Sequence, residues 1–426
     1  MDTVILAGGK GTRLGLQNIP KPMVDFGGIP LIHRQLLELE KAEIFKNVYV
    51  LTGYLGNIIQ EYFQNISFNF IQPFFVQEQT PLGTAGAIFQ VKDKISDRFL
   101  VIYGDTFFDI NFERFIDFDK DHPAPLGTLF IHPNDHPYDS DLVILDETMV
   151  KSVKPKPHKQ DSLLRNFANA AFFILSKKIF DLSIDFIQKD LGRDIFPFLP
   201  EYSFKAYLSS EYIKDIGTKQ RLNSALEILQ SGHSRSRNFK NPQKAFFLDR
   251  DGIINHEKKP FVDLSNFEIY NDLSSFLKLA RDNGYLLFVV TNQPSIAKGF
   301  ISVDELDLIH QKLEQTLLEE GVFFDEIKYC PHHPEKGFPG EIPELKIECD
   351  CRKPENKLIL DLIKHYNIDT NQSFFIGDRY RDIEAGARSG LKTILINRGL
   401  KGNDMDLFPN TTADYIFNSL NEISNI

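Results

Sequence analysis

Continuous apolar runs of strand length alternate with amphipathic helical patterns, and they do so on both sides of one polar break. Before the break, residues 3–7, 47–51 and 99–103 read as short buried strands, with a helical pattern at 31–42. After it, 246–248, 286–291, 373–376 and 393–396 read as strands, and 273–282, 303–320 and 356–366 as helices. Unbroken Val/Ile/Leu/Phe runs with helices between them are the pattern of strands covered on both faces. The chain is therefore expected to be α/β, with two Rossmann-like three-layer domains and mostly parallel sheets. Ligands of such sheets bind at the carboxyl ends of the strands.

The break runs from Gln230 to Gln243, is polar and basic, and lacks apolar periodicity. It reads as a linker. The expected division is a first domain at 1–230, a linker at 231–243 and a second domain at 244–426. A length of 426 residues fits two or three domains at about 150 residues each. Lys plus Arg total 48 against 59 Asp plus Glu, a net charge of −11, which argues against nucleic acid or an anionic membrane as partner. No apolar run approaches the roughly 20 residues of a membrane span. The first residues reach an acid and then a strand, so no secretory signal is expected and cytoplasm is the expected compartment. Oligomeric state stays open, a homo-oligomer included.

The first strand ends in Leu6-Ala-Gly-Gly-Lys-Gly-Thr-Arg-Leu14. Its glycines let backbone N–H groups approach a ligand, and Lys10 and Arg13 add positive charge, which suits a polyphosphate. It is neither the P-loop nor the dinucleotide fingerprint. Pro20-Lys-Pro-Met23 then holds Lys21 in a rigid segment. Glu78-Gln-Thr-Pro-Leu-Gly-Thr-Ala-Gly86 is a second Gly-rich loop, and Gly104-Asp105 and Asp215-Ile-Gly-Thr218 supply acids at strand or loop ends. Two distant carboxylates suit a Mg²⁺-bound triphosphate.

In this order, the motifs of residues 1–230 resemble the sugar-1-phosphate nucleotidyltransferases. The resemblance implies that a sugar phosphate oxygen attacks the α-phosphorus of an NTP and pyrophosphate leaves. It implies that Gly8, Gly9, Gly11 and Thr12 cradle the nucleotide, with Glu78 and Gly83 near its base. Arg13 and Lys21 would neutralise phosphate charge, and Asp105 and Asp215 would hold Mg²⁺. In Val150-Lys-Ser-Val-Lys-Pro-Lys-Pro157, Lys156 takes the place of the family's sugar-phosphate lysine, with Lys154 a competing choice and Pro155 where the family commonly has Glu. Asn169 fits the sugar-binding Asn.

The second half opens with Phe246-Phe-Leu-Asp-Arg-Asp-Gly-Ile-Ile-Asn255. Two acids two residues apart after a strand point the same way, one a candidate nucleophile and the other a candidate acid/base. Gly directly after the second acid does not fit a calcium loop of the EF-hand type. Leu287-Phe-Val-Val-Thr-Asn-Gln293, Cys351-Arg-Lys-Pro354 and Phe374-Phe-Ile-Gly-Asp-Arg-Tyr-Arg-Asp382 follow in order. This order resembles the haloacid-dehalogenase-like (HAD-like) phosphatases. It implies an aspartyl-phosphate on Asp249, acid/base work by Asp251, phosphoryl binding by Thr291 and Lys353, and Mg²⁺ on Asp249, the carbonyl of Asp251, and Asp378. Asp382 is either an accessory residue or an N-terminal helix acid.

All three cysteines fall in C-x-H…C-x-C: Cys330, His332, Cys349 and Cys351. Three thiolates and an imidazole suit a closed structural Zn²⁺ site that staples a Pro-rich loop. His333 is the rival imidazole. The loop narrows the resemblance to D-glycero-D-manno-heptose 1,7-bisphosphate phosphatases and related histidinol-phosphate phosphatases. In those enzymes the positions of Asn255, Asn292, Gln293, Lys298 and Arg352 face substrate.

Together the two resemblances imply a bifunctional enzyme of nucleotide-activated heptose synthesis, as used for lipopolysaccharide or other surface polysaccharide. Its phosphatase would remove the 7-phosphate, and its transferase would join the heptose 1-phosphate to a nucleotide. Similarity to guanylyl-transferring relatives through Pro-Leu-Gly-Thr-Ala-Gly favours GTP. The alternative is a mannose-1-phosphate or other hexose-1-phosphate nucleotidyltransferase fused to a phosphatase of different sugar-phosphate or histidinol-phosphate specificity. Expected partners are small molecules, with Mg²⁺ in both sites and Zn²⁺ in the phosphatase.

Overall fold

The computed structural model describes residues 1–426 apart from Lys10, Thr12, Arg13, Gln17, His122, 160–161, 258–263, 399–403 and 424–426. Two of the sequence-derived site residues, Thr12 and Arg13, thus lie outside the described residues. The chain forms two compact units.

The first unit carries strands β1 (Asp2–Ala7), β2 (Asn47–Thr52), β3 (Gln72–Gln77), β4 (Arg98–Tyr103), β5 (Thr106–Asp109), β6 (Gly127–His132), β7 (Leu142–Asp146), β8 (Met149–Lys154), β9 (Ala168–Ser176), β10 (Phe204–Leu208) and β11 (Tyr212–Asp215). Its helices are α1 (Leu31–Ala42), α2 (Gly56–Phe63), α3 (Gly83–Phe89), α4 (Phe112–Asp121), α5 (Lys219–Ser231) and α6 (His233–Arg237). Nine strands form one sheet in the order β3-β2-β1-β4-β9-β6-β10-β8-β7, and β11 pairs with β5. Side chains alternate across it: Val4, Leu51, Phe99 and Val101 enter one core, while Ile5, Val50, Leu100 and Ile102 enter the other. Helices and turns cover both, giving three layers.

The expectation of a mostly parallel sheet needs correction here. β1, β2, β3 and β4 are parallel, but β9 runs antiparallel between β4 and β6, and β7 and β8 form an antiparallel hairpin. Apolar runs alone carry no direction, and the β7–β8 connection is too short for a parallel crossover. The stretch expected as a linker also differs: it contains α6, with Ser234 and Arg237 buried.

The second unit contains β12 (Ala245–Leu248), β13 (Leu286–Asn292), β14 (Glu326–Cys330), β15 (Phe374–Gly377), β16 (Lys392–Ile396) and β17 (Tyr415–Phe417). Between them lie α7 (Leu273–Asp282), α8 (Pro294–Ala297), α9 (Val303–Glu319), α10 (Lys357–Tyr366) and α11 (Tyr380–Arg388). The six strands are all parallel, ordered β14-β13-β12-β15-β16-β17. Phe246, Leu248, Leu287 and Val289 fill one face and Phe247, Phe288 and Val290 the other. A Ser302–Glu305 capping box starts α9. The unit also takes in Pro133–Asp135 and Asp161–Asn166, which leave the first unit and return to it. Among the described residues, no helix is long and apolar enough to cross a membrane.

Candidate active sites

In the first unit β1 sits between β2 and β4, so the loop after Ala7 opens at the carboxyl edge of the parallel strands. Small-molecule sites are typically cavities of about 300–1,000 Å³. One of 730 Å³ lies here, lined by Gly8, Gly9, Gly11, Lys21, Glu78, Gly83 and Asp105 among others. The sequence-derived nucleotide residues that are described therefore face one space. Gly83 has φ +73°, and a Cβ there would strike the Lys189 backbone. Only glycine fits that turn.

Lys21 is buried and its ammonium forms an ion pair with Asp105. Pro20 and Pro22 hold its turn. Asp105 and Asp215 are brought near through the backbone: Asp215 lies opposite Thr106 in the β5–β11 pairing, and Ile216 N donates to Asp105 O at 2.9 Å. Asp215 does not line the cavity, although Gly217 does. Its carboxylate accepts from Arg221 Nη1 at 2.9 and 2.8 Å and from Gly217 N at 3.0 Å. Burial pushes its pKa up, but Arg221 outweighs that and holds it below the usual carboxylate value. Glu78 accepts from Leu82 N at 2.8 Å, and burial raises its pKa.

Lys156 and Asn169 do not line this cavity. They are gathered instead by Asp141, whose Oδ1 accepts from Lys156 N at 3.0 Å and whose carbonyl accepts from Asn169 N at 2.8 Å. Lys154 and Lys156 are both exposed. The sequence reading missed Tyr103, which lines the cavity; burial, then Asp190, raises its pKa. At the end of an apolar strand it carries no signal beyond core packing.

In the second unit Asp249 follows β12, flanked by β13 and β15. The register sets Leu248 against Val289 and Ile376, so Thr291 and Asp378 emerge beside it. Lys353, 2% exposed, places Nζ 2.9 Å from Asp249 Oδ1 and 2.8 Å from Asp382 Oδ1, and donates to Val290 O at 2.8 Å. Burial lowers its pKa, but the two carboxylates outweigh burial and raise it. Asn292 pairs with the backbone of Lys353, accepting from N and donating to O at 3.0 Å each.

Carboxylate oxygens of Asp249, Asp378 and Asp382 lie within 4.8 Å of one another, and all three residues are buried. A hard divalent cation fits such an oxygen set. Asp382 also closes the α11 capping box with Arg379 N at 3.2 Å, so it is both a helix acid and a member of the cluster. Burial, reinforced by Asp249, raises its pKa. Gly252, at φ +89°, has no Cβ to collide with the Asp378 carboxylate.

The Asp251 carboxylate stands outside that cluster. It accepts from Arg250 Nη2 at 3.0 Å, Asn255 Nδ2 at 2.9 Å and Gln293 Nε2 at 2.9 Å. Gln293 Nε2 also donates to Thr291 Oγ1 at 3.0 Å. Burial pushes Asp251 up, yet Arg250 and the two amides bring it below its ordinary value. Arg250 occupies the x of Asp-x-Asp and was passed over in the sequence.

Cys330, His332, Cys349 and Cys351 also form a cluster within 4.8 Å; His333 is not in it. The sulfurs lie 3.2–3.6 Å apart and His332 Nδ1 is 3.3 Å from Cys351 Sγ. A Zn–S bond of 2.3 Å implies tetrahedral edges of about 3.8 Å, so the donor set fits zinc. Burial raises the thiol pKa values of Cys330 and Cys351. Beside the cluster, Lys298 and Lys346 each sit 4.6 Å from the Phe338 ring, whose edge contact is His333 at 6.0 Å. Burial, with Arg352 and Lys346 nearby, lowers the pKa of Lys298. A 690 Å³ cavity reaches from Arg352 and Lys353 to Arg381.

Residues 2–232 match the family model described as Nucleotidyl transferase, and residues 350–423 match one described as HAD-hydrolase-like. The chain belongs to the nucleotidyl transferase family and carries a HAD-like phosphatase in its second half, so it is an enzyme of both types. It is similar to D-glycero-beta-D-manno-heptose-1,7-bisphosphate 7-phosphatase of Haemophilus influenzae, with 35% identity over 43% of this chain and 96% of that protein. It is also similar to the D-glycero-alpha-D-manno-heptose-1,7-bisphosphate 7-phosphatase of Photorhabdus laumondii, with 38% identity over 37% of this chain and 85% of that one. Among solved structures, HddC from Yersinia pseudotuberculosis is 31% identical over 54% of this chain and 99% of its own, with a TM-score of 0.47.

Proposed function

We propose that this enzyme converts a D-glycero-D-manno-heptose 1,7-bisphosphate to the heptose 1-phosphate in its second unit, and that its first unit transfers GMP from GTP to that product, releasing pyrophosphate. The observation that carries the reading is the pairing of two chemistries in one chain. A 7-phosphatase like the relatives leaves a sugar 1-phosphate, which is what a sugar nucleotidyltransferase consumes. GTP follows from the Pro81-Leu-Gly-Thr-Ala-Gly86 loop and its resemblance to guanylyl-transferring enzymes.

In the second unit an Asp249 oxygen attacks phosphorus and the bond to the sugar oxygen breaks. Asp251, which must enter this step protonated although Arg250 and the two amides favour its carboxylate, gives that oxygen a proton. Water then attacks the aspartyl-phosphate, Asp251 takes its proton, and phosphate leaves. Lys353 and Thr291 bind the phosphoryl oxygens. Asp249, Asp378 and Asp382, with the Asp251 carbonyl, would hold Mg²⁺, which supplies charge neutralisation. Arg250 and Gln293 aim the Asp251 carboxyl.

In the first unit Gly8, Gly9 and Gly11 present backbone to the triphosphate, and Glu78 and Gly83 face its base. Lys21 screens the charge of two meeting anions. Asp105 would hold Mg²⁺, and Asp215 would join it only by turning its carboxylate from Arg221 toward the cavity. Lys156 and Asn169 would engage the sugar phosphate. Cys330, His332, Cys349 and Cys351 would hold structural Zn²⁺. Cytoplasm is the compartment proposed for the enzyme.

The test is a mass-spectrometric endpoint assay with Mg²⁺, both anomers of the bisphosphate and equimolar GTP, ATP, CTP, UTP and dTTP. A dominant GDP-heptose product supports the reading. Heptose 1-phosphate without nucleotide transfer would reassign the first unit, and untouched bisphosphate would overturn the heptose assignment.

A further inference from the structure

Helix α9 carries Asp307, His310 and Glu314 at spacings that place them on one face. Glu314 Oε2 accepts from Arg165 Nε and from Asn166 N, both at 3.0 Å, and Asp307 Oδ1 accepts from Arg165 Nη1 at 2.9 Å. Arg165 belongs to the short excursion that packs with the second unit, although in sequence it lies between β8 and β9. Its side chain is 14% exposed and that of Glu314 8%.

One turn back along α9, His310 is 1% exposed, and its Nε2 lies 3.5 Å from Arg250 Nη1. A guanidinium has donors only, so this imidazole nitrogen faces Arg250 as the acceptor and the ring is neutral. Burial and the two arginines, Arg250 and Arg165, keep it so. Arg250 in turn spends Nη2 on Asp251 and on Gln293 Oε1 at 3.0 Å each. Contacts therefore join Arg165 to Glu314 and Asp307 at one end of this α9 face and His310 to Arg250 and Asp251 at the other, with the helix itself as the link between them.

We propose that Arg165 is a positioning residue for the phosphatase reaction: by clamping one face of α9 it sets His310 against Arg250, and Arg250 aims Asp251 at the departing oxygen. This rests on the reading of Asp251 as the acid. A segment outside the contiguous phosphatase sequence thereby completes the phosphatase unit.

The test compares kcat/KM for two leaving groups in the full chain with Mg²⁺. A sugar alkoxide needs a proton as its bond to phosphorus breaks, whereas p-nitrophenolate leaves without one. Arg165→Met is expected to lower kcat/KM for the sugar bisphosphate by about tenfold or more and to change that for p-nitrophenyl phosphate by less than about threefold. Nucleotidyl transfer to supplied sugar 1-phosphate reports folding of the rest of the chain. Because the contacts act in series, Arg165→Met with His310→Phe should lose no more than the worse single variant. Equal loss on both substrates, no loss, or multiplying losses in the double variant overturns the proposal. If Arg165→Met does not fold, Glu314→Gln carries the same comparison with the same expected selectivity. Asp251→Asn separates the two levels. If it hits both substrates equally, the acid assignment falls and this proposal with it. If it is selective while Arg165→Met is not, only the role of Arg165 falls.

Discussion

Lys353 holds its ammonium 2.9 Å from a carboxylate oxygen of Asp249, so the carboxylate proposed as nucleophile is paired with a buried cation. A second carboxylate, Asp382, shares that cation at 2.8 Å. Removing the charge leaves two buried acids facing each other. Lys353→Met is expected to destabilise the second unit by about 3–5 kcal/mol. It should also reduce phosphate release by at least about a hundredfold. Denaturant unfolding and a phosphate-release assay check the two effects, and a fully stable variant with near-normal turnover would refute the arrangement.

The two sites draw on different residues, so their activities should separate. Asp249→Asn removes the proposed nucleophile and is expected to abolish phosphate release while leaving nucleotidyl transfer to supplied sugar 1-phosphate within about twofold. Asp105→Asn is expected to do the reverse. Joint loss of both activities in either folded variant would contradict independent active sites.

How much of this was legible in the sequence depends on what kind of information each residue carries. Asp249 and Asp378 could be put forward because each directly follows a buried apolar run, which delivers its next residues to one edge of a sheet; Lys353 lies in a loop before α10 and was put forward by its Cys351-Arg-Lys-Pro motif alone. The Cys330, His332, Cys349 and Cys351 cluster could be anticipated because C-x-H and C-x-C set the separation within each pair. Asp382 stayed ambiguous: its distance to Asp249 depends on β12 and β15 being neighbours, which spacing along the chain does not encode. Arg250 was invisible as a functional residue because it filled a spacer position. The antiparallel placement of β9 was equally hidden, since an apolar run looks the same in either direction. Lys156 and Asn169 were placed by motif, yet the structure gathers them around Asp141 rather than on the nucleotide cavity.

The cysteine cluster predicts a metal dependence separate from Mg²⁺. Elemental analysis should find about one zinc per chain. Cys351→Ser, or a strong chelator, should lower the melting temperature of the second unit while nucleotidyl transfer persists. Burial raises the thiol pKa values, so metal binding must displace protons, and zinc affinity should fall as the pH is lowered. A chain free of zinc with full phosphatase stability would rule out the ligand set.

Lys298, Lys346 and His333 lie around Phe338, with Arg352 close enough to act on Lys298 and His333; burial and these cations lower the pKa of Lys298 and His333, and Glu335 opposes them. Glu335 and Glu341 offset part of this positive charge, and a phosphate would offset more. The proposed substrate carries a second phosphate away from the reacting one, and this group of cations is expected to meet it. Lys298→Gln is therefore expected to raise KM for the bisphosphate about tenfold, as the loss of one charge-assisted contact implies, with kcat changed little. KM for a sugar monophosphate should move less than about twofold. Steady-state kinetics on the two substrates decide it: an equal rise in KM for both would place Lys298 at the reacting phosphate instead of the distal one.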